Sequence, residues 1–142
     1  MNIAVWGVPN MGLAPAIAAN GSSAASLGTT LAQSMNSALR NRFTSETGVQ
    51  IFDMYSLVTA VNANPTAYGL INASDASGAI PGADPSQYLC WDGIHPTAAG
   101  INQILTAEYS EFDFTLSSGA VVHDYLQQSG VQSPEATTTG RK

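Results

Sequence analysis

A short, uninterrupted apolar segment near the start of the sequence constrains the fold most strongly. Residues 3–8 (IAVWGV) contain no polar side chain, and Pro9 and Asn10 end the segment. Strands that are buried on both faces have this pattern, and they belong to parallel sheets with helices on both sides. We therefore predict an α/β fold in which residues 3–8 form an inner strand. Such a strand seldom begins a domain, so we expect further strands to precede it in a longer parent protein.

The next segment has a helical period. Five apolar residues recur at every fourth position from Leu27 to Phe43, which places one apolar stripe on a helix that begins at Ser22 or Ser23. We expect this stripe to face the core or the sheet, and one of the two serines to cap the helix. Residues 49–53 (VQIFD) then have the pattern of a second strand. Strand, helix and strand in this order predict a parallel βαβ pair.

The rest of the sequence divides into segments of different character. Residues 54–61 predict a helix, and residues 64–70 predict an added helical turn. Residues 71–87 are rich in Gly, Ser, Ala, Asp and Pro without periodicity, so we predict an ordered surface loop. Residues 97–109 predict the last helix. We assign residues 1–109 to one domain, residues 110–127 to a strand or hairpin extension, and residues 128–142 to a disordered tail.

Low charge excludes several classes of function. Charged residues make up 10% of the chain and the net charge is −6, whereas an ordinary soluble domain is about 25% charged. Only Arg40 and Arg42 are basic outside the last two positions, so a nucleic acid or an anionic membrane surface would find almost no cationic partner. Cys90 is the single cysteine, which excludes a disulfide framework and a cysteine-rich zinc site. We predict no metal, no cofactor, no transmembrane segment and no signal peptide in this sequence.

One cluster has recognisable catalytic chemistry: Asp92 and His95 in the run WDGIHPT. A serine hydroxyl becomes a nucleophile when a histidine removes its proton, and a carboxylate fixes the tautomer of that histidine. Three positions apart on a tight turn, the two side chains can meet without long-range folding. We expect Gly93 to permit the turn, Pro96 to set the first turn of the next helix and Trp91 to limit water around the pair. The alternative is that Asp92 only caps a helix.

Other residues that could carry chemistry have simpler interpretations. His123 and Asp124 are adjacent, and neighbouring side chains on one element point apart, so we interpret them as surface residues. Cys90 has no nearby cation in the sequence and fits a small buried residue. Asp53 follows a strand, where α/β sites are built, but helix capping is the simpler role. Four serines fit caps and turns better than a nucleophile: Ser22, Ser23, Ser117 and Ser118.

Residues 91–100 (WDGIHPTAAG) resemble the last conserved block of the GDSL, or SGNH, esterases and lipases. They are most similar to the branch labelled phospholipase, lecithinase or haemolysin. Residues 8–15, 49–57 and 64–70 are similar to segments of that branch in order and spacing, so the resemblance covers about residues 2–109. It implies a three-layer α/β/α sandwich around a five-stranded parallel sheet. We expect this chain to form only part of the sandwich: an incomplete sheet of two parallel strands with flanking helices.

The resemblance also implies a mechanism. His95 would be the general base and Asp92 would orient it, with a carboxylic ester or lipid as substrate. The Gly-Asp-Ser-Leu block that bears the serine and the Gly-x-Asn-Asp block of the oxyanion hole do not occur in this sequence. We therefore expect the C-terminal half of an exported serine ester hydrolase, inactive by itself. The alternative is a non-catalytic chain, truncated or acting as an interaction module, whose exposed sheet edge favours self-association.

Overall fold

The computed structural model describes residues 3–111, with side chains to residue 106, and it confirms the predicted α/β class. The strands are β1 (Ile3–Trp6), β2 (Val49–Phe52), β3 (Asn72–Ala76) and β4 (Tyr88–Cys90), and the helices are α1 (Pro15–Ala18), α2 (Ser22–Phe43), α3 (Met54–Ala63) and α4 (Ala98–Glu111). The predicted tail, the predicted extension beyond residue 111, and the candidates Ser117, Ser118, His123 and Asp124 lie outside the described residues.

The predicted βαβ pair is confirmed. β1 and β2 are parallel, in a register that pairs Ile3 with Val49 and Trp6 with Phe52, and α2 connects them along the chain. The rings of Trp6 and Phe52 lie 6.0 Å apart at a tilt of 60°. Phe52 is fully buried and packs in a cluster with Ile104 of α4. This sheet is therefore covered by α4 on the face that carries Phe52.

The surface loop predicted for residues 71–87 is wrong in its first part. β3 lies there and pairs with β4 in parallel, so the structure has a second two-stranded sheet. Only Ala73 of β3 is buried, beside Leu89 of β4. The strand sequence (NASDA) has neither apolar alternation nor β-branched residues, because a single small side chain reaches the core. Leu57 and Val58 of α3 pack against the cores of both sheets and join them.

The span predicted for α2 is confirmed, but its orientation is not. Leu27, Leu31 and Met35 of the apolar stripe are 70%, 57% and 49% exposed, whereas Ala32 and Asn36 are buried. The first three members of the stripe therefore face solvent, whereas its last two are half-buried. A helix can approach its neighbour closely where its side chains are small, and α2 does so at Gly28, which lies against the backbone of Gly12.

The serine cap predicted for α2 is wrong, whereas the cap predicted for α3 and the added helical turn are confirmed. Gly21, at φ +92°, is the N-cap of α2, and neither Ser22 nor Ser23 gives it a side-chain cap. Asp53 does cap α3, since its carboxylate accepts hydrogen bonds from the Ser56 backbone at 3.0 Å and from the Ser56 hydroxyl at 2.9 Å. The added turn predicted for residues 64–70 is a 3-10 helix. Between residues 3 and 111, no helix combines the length and apolarity that crossing a membrane requires.

Candidate active site

The Asp92–His95 segment is a tight turn between β4 and α4. The chain doubles back on itself, because the Trp91 N–H donates to the His95 carbonyl at 2.9 Å and Cys90 forms an antiparallel bridge with Pro96. These bonds close the turn directly at the end of the buried strand β4. Asp92 and His95 thus lie at the tip of a short loop whose two ends are hydrogen-bonded to each other.

Asp92 binds both the backbone and the side chain across the turn. Its Oδ1 accepts hydrogen bonds from the Ile94 and His95 backbone N–H groups, each at 2.7 Å, and its Oδ2 lies 2.9 Å from His95 Nδ1. The His95 N–H, the Ile94 N–H and then the His95 side chain lower the pKa of Asp92 to about 2. At neutral pH the carboxylate has no proton to donate, so Nδ1 must carry the proton of the shared hydrogen bond.

The pair is open to solvent. The His95 side chain is 75% exposed and the Asp92 side chain is 48% exposed. The expectation that Trp91 limits water around them is wrong, because its ring packs against Gly78 on the neighbouring 3-10 turn and is itself half exposed. Among the described residues, no group hydrogen-bonds to Nε2 of His95. The nitrogen that would accept a proton from a nucleophile is therefore accessible.

Thr97 is the N-cap residue of α4. Its hydroxyl donates to the Tyr88 carbonyl at 2.6 Å and accepts from the Gly100 N–H at 2.9 Å, which is the hydrogen bond of an N-cap. Pro96 precedes this cap and belongs to the bridge with β4, so its predicted place in the first helical turn is wrong. The alternative role for Asp92, capping a helix, is filled at α4 by Thr97.

Gly93 is small for a different reason from the one expected. Its φ is not in the left-handed region, so the turn itself does not require glycine. Instead, a Cβ added to Gly93 would lie 2.6 Å from the Cβ of Ala16, which is closer than any real contact. The Ala16 N–H also donates to the Gly93 carbonyl at 3.0 Å. The turn is therefore packed directly against the start of α1, a contact that the sequence alone did not indicate.

An apolar cavity of about 110 Å³ lies beside the second sheet, where Ala73 of β3 and Leu89 of β4 line it. Ile94 and Pro96, on either side of His95 in the chain, contribute to its wall. Its single buried thiol, Cys90, has its pKa raised by burial and by the nearby charge of Asp92, so it stays protonated and behaves as the predicted small apolar residue. The other larger apolar side chains of the wall are Met11, Leu13, Met54, Val58, Leu89 and Ile104.

The remaining candidates do not join this site. Ser22 and Ser23 lie exposed in the first turn of α2, and Ser77 donates its hydroxyl to the Cys90 carbonyl at 3.2 Å. In the part of the chain that the structure describes, no serine hydrogen-bonds to His95. Residues 3–111 also contain no group of three or more His, Cys, Asp or Glu side chains that could hold a metal ion.

No model of a known protein family matches the sequence, and no curated protein matches it significantly. The resemblance to the GDSL esterases therefore stays a prediction from the four similar segments of the sequence.

Proposed function

We propose that Asp92 and His95 are the acid and base of a serine ester hydrolase, and that this chain supplies that part of the triad. One observation supports the proposal above all others: an ionised carboxylate holds Nδ1 of the histidine at 2.9 Å and leaves Nε2 accessible. A general base in acyl transfer needs this arrangement, because the second nitrogen must be unprotonated to accept the serine proton.

The chemistry of the pair follows from its hydrogen bonds. As a serine oxygen attacks the ester carbonyl, Nε2 of His95 takes the serine proton, and Asp92 stabilises the imidazolium that forms. His95 then returns this proton to the leaving alcohol as the tetrahedral intermediate collapses. Water repeats the sequence on the acyl-serine and releases the acid. The serine would be supplied by a segment that carries the Gly-Asp-Ser-Leu block.

The apolar cavity supports a carboxylic ester or lipid substrate. Its wall is mostly hydrocarbon and includes Ile94 and Pro96, the neighbours of His95 in the chain. At about 110 Å³ the cavity is smaller than the roughly 150 Å³ that holds benzene, so it suits an apolar group smaller than a benzene ring. The acidic chain offers little attraction to an anionic substrate, and Arg42 is already paired with Glu46 at 2.9 Å.

The first test uses the isolated 142-residue chain and p-nitrophenyl butyrate. We expect no turnover above that of the His95→Ala variant, because this sequence lacks both the serine and the oxyanion donors that stabilise the tetrahedral intermediate. Turnover by the isolated chain that His95→Ala abolishes would contradict the assignment of the nucleophile to another segment.

The nucleotide sequence upstream of the Met1 codon provides the second test. An in-frame Gly-Asp-Ser-Leu block would support the proposal and would define the polypeptide to assay. An in-frame stop codon directly upstream would refute it and favour the non-catalytic chain.

One observation favours that second candidate, an interaction module. Leu27, Leu31 and Met35 form a continuous exposed apolar row on α2, and Ile3 and Trp6 of β1 are also 45% exposed. Apolar patches of this kind mark association surfaces or surfaces that another part of a larger protein covers. Under this alternative, Asp92 and His95 would stabilise a turn and catalyse nothing.

A further inference from the structure

The tip of the turn that holds Asp92 and His95 packs closely against α1 at Gly93. The three atoms nearest to a Cβ added at Gly93 would all belong to Ala16: its Cβ at 2.6 Å, its Cα at 3.4 Å and its N at 3.5 Å. Gly93 lies between Asp92 and the two residues whose N–H groups Asp92 binds. A displacement of the backbone at Gly93 would therefore change all three hydrogen bonds of the carboxylate.

The other side of this contact is anchored to α2. α1 has four residues, too few to be stable alone. The preceding 3-10 turn (Met11–Leu13) packs closely on α2, since a Cβ added to Gly12 would lie 2.2 Å from the Ala25 carbonyl oxygen. Asn10, which is buried, accepts hydrogen bonds from the Gly12 N–H at 3.2 Å and the Thr29 hydroxyl at 2.8 Å. α2 thus fixes the 3-10 turn, and the 3-10 turn fixes the start of α1.

We propose that Ala16 and Gly93 are positioning residues, and that the contact between them sets the geometry in which Asp92 holds His95. Glycine is required at position 93 because a methyl group has no room there, and not because of its backbone conformation. The consequence for catalysis rests on the proposed function, whereas the effect on the turn does not.

An exchange of methyl groups between the two positions tests this inference. Gly93→Ala should displace the turn, whereas Ala16→Gly combined with Gly93→Ala leaves the new methyl group at an ordinary 3.4 Å from the Ala16 Cα. Long-range ¹H–¹⁵N NMR of the 142-residue chain near pH 8 reports which ring nitrogen of His95 carries the proton. We expect Nδ1–H in the original chain, a mixture of tautomers in Gly93→Ala, and Nδ1–H again in the double variant.

Two controls separate this effect from general destabilisation. Ala16→Gly alone should keep Nδ1–H. Ala18→Gly combined with Gly93→Ala adds the same helix-weakening glycine to α1 without making room at the contact, so it should not restore the tautomer. If Gly93→Ala prevents folding, the exchange variant should fold and show Nδ1–H.

Three outcomes would overturn the proposal. These are an unchanged tautomer in Gly93→Ala, failure of the exchange variant to restore Nδ1–H or to fold, and equal rescue by Ala18→Gly. Loss of the proposed esterase function would not affect any of them. In a polypeptide that hydrolyses esters, Gly93→Ala should lower kcat with little change in KM, and the exchange variant should recover kcat.

Discussion

Asp92 is held more by the backbone than by its histidine partner. The two N–H groups of the turn contribute most to lowering its pKa, and the His95 side chain comes after them. The backbone hydrogen bonds therefore favour the ionised carboxylate even without the hydrogen bond to the imidazole. This order suits a group that must stay charged while its partner gains and loses a proton.

We predict that His95→Ala leaves the pKa of Asp92 clearly below 3.8, because the backbone donors remain. The ¹³Cγ shift of Asp92, followed by NMR as the pH is lowered, measures this. Asp84 is the matched control, since it binds the Ser86 backbone in a similar turn away from His95. A midpoint at 3.8 in the variant would show that the histidine alone lowers the pKa.

Asp92 also gives the fold a dependence on pH. Its pKa is lower in the folded chain than in the unfolded chain, so folding gains stability above the unfolded value of 3.8. That gain is lost as the pH falls from 3.8 toward about 2. Asp92→Asn should therefore flatten the acid limb of a curve of unfolding free energy against pH. An identical acid limb in the variant would contradict this.

The Asp92–His95 contact could be predicted from the sequence because it joins residues three positions apart. The contact between Gly93 and Ala16 could not, because it joins distant segments whose meeting depends on the packing of α1 and α2. The position of the Trp91 ring could not be predicted for the same reason. Its place against Gly78 follows from β3, a strand that the sequence pattern did not reveal.

At the scale of elements, α2 shows why apolar periodicity predicts where a helix begins and ends but not which of its faces is buried. Larger apolar residues were expected inside, yet the end of β1 leaves polar backbone groups that a leucine cannot satisfy. Asn36 satisfies them, since it accepts from the Val8 N–H at 2.8 Å and donates to the Val8 carbonyl at 2.7 Å. The face of α2 that carries Asn36 therefore turns inward, and the face that carries Leu27, Leu31 and Met35 is left exposed.

We predict that Asn36→Leu destabilises the fold by about 2–4 kcal/mol, because it leaves the Val8 N–H and C=O without their partner. Urea unfolding followed by circular dichroism measures the change. Asn41, exposed on the same helix, is the matched control, and Asn41→Leu should change stability by less than about 0.5 kcal/mol. Equal effects of the two substitutions would contradict the role of Asn36.

Thr97 allows a similar test at the start of α4. Thr97→Val keeps the shape of the side chain and removes both hydrogen bonds of the hydroxyl, so it should cost about 1–2 kcal/mol. Thr97→Ser keeps both bonds and should cost less. The same urea experiment compares the two variants, and a valine variant as stable as the serine variant would refute the capping role.

At the scale of the whole molecule, an exposed apolar row accompanies a small, divided core. The α2 row predicts self-association of the isolated chain. Size-exclusion chromatography with light scattering should show a concentration-dependent mass that Leu31→Glu lowers, whereas Thr30→Glu, on a neighbouring exposed position, should have little effect. A monomer at all concentrations would contradict this prediction.

The kinetics of a polypeptide extended through the upstream reading frame test the central claim most directly. With p-nitrophenyl butyrate as substrate, we expect turnover that falls by about 10⁴-fold or more in His95→Ala and in Asp92→Asn. Asp84→Asn, the matched exposed carboxylate, should leave kcat unchanged. Hydrolysis that survives His95→Ala, or an extended polypeptide that folds and hydrolyses no ester, would contradict the assignment of Asp92 and His95 as the acid and base of an ester hydrolase.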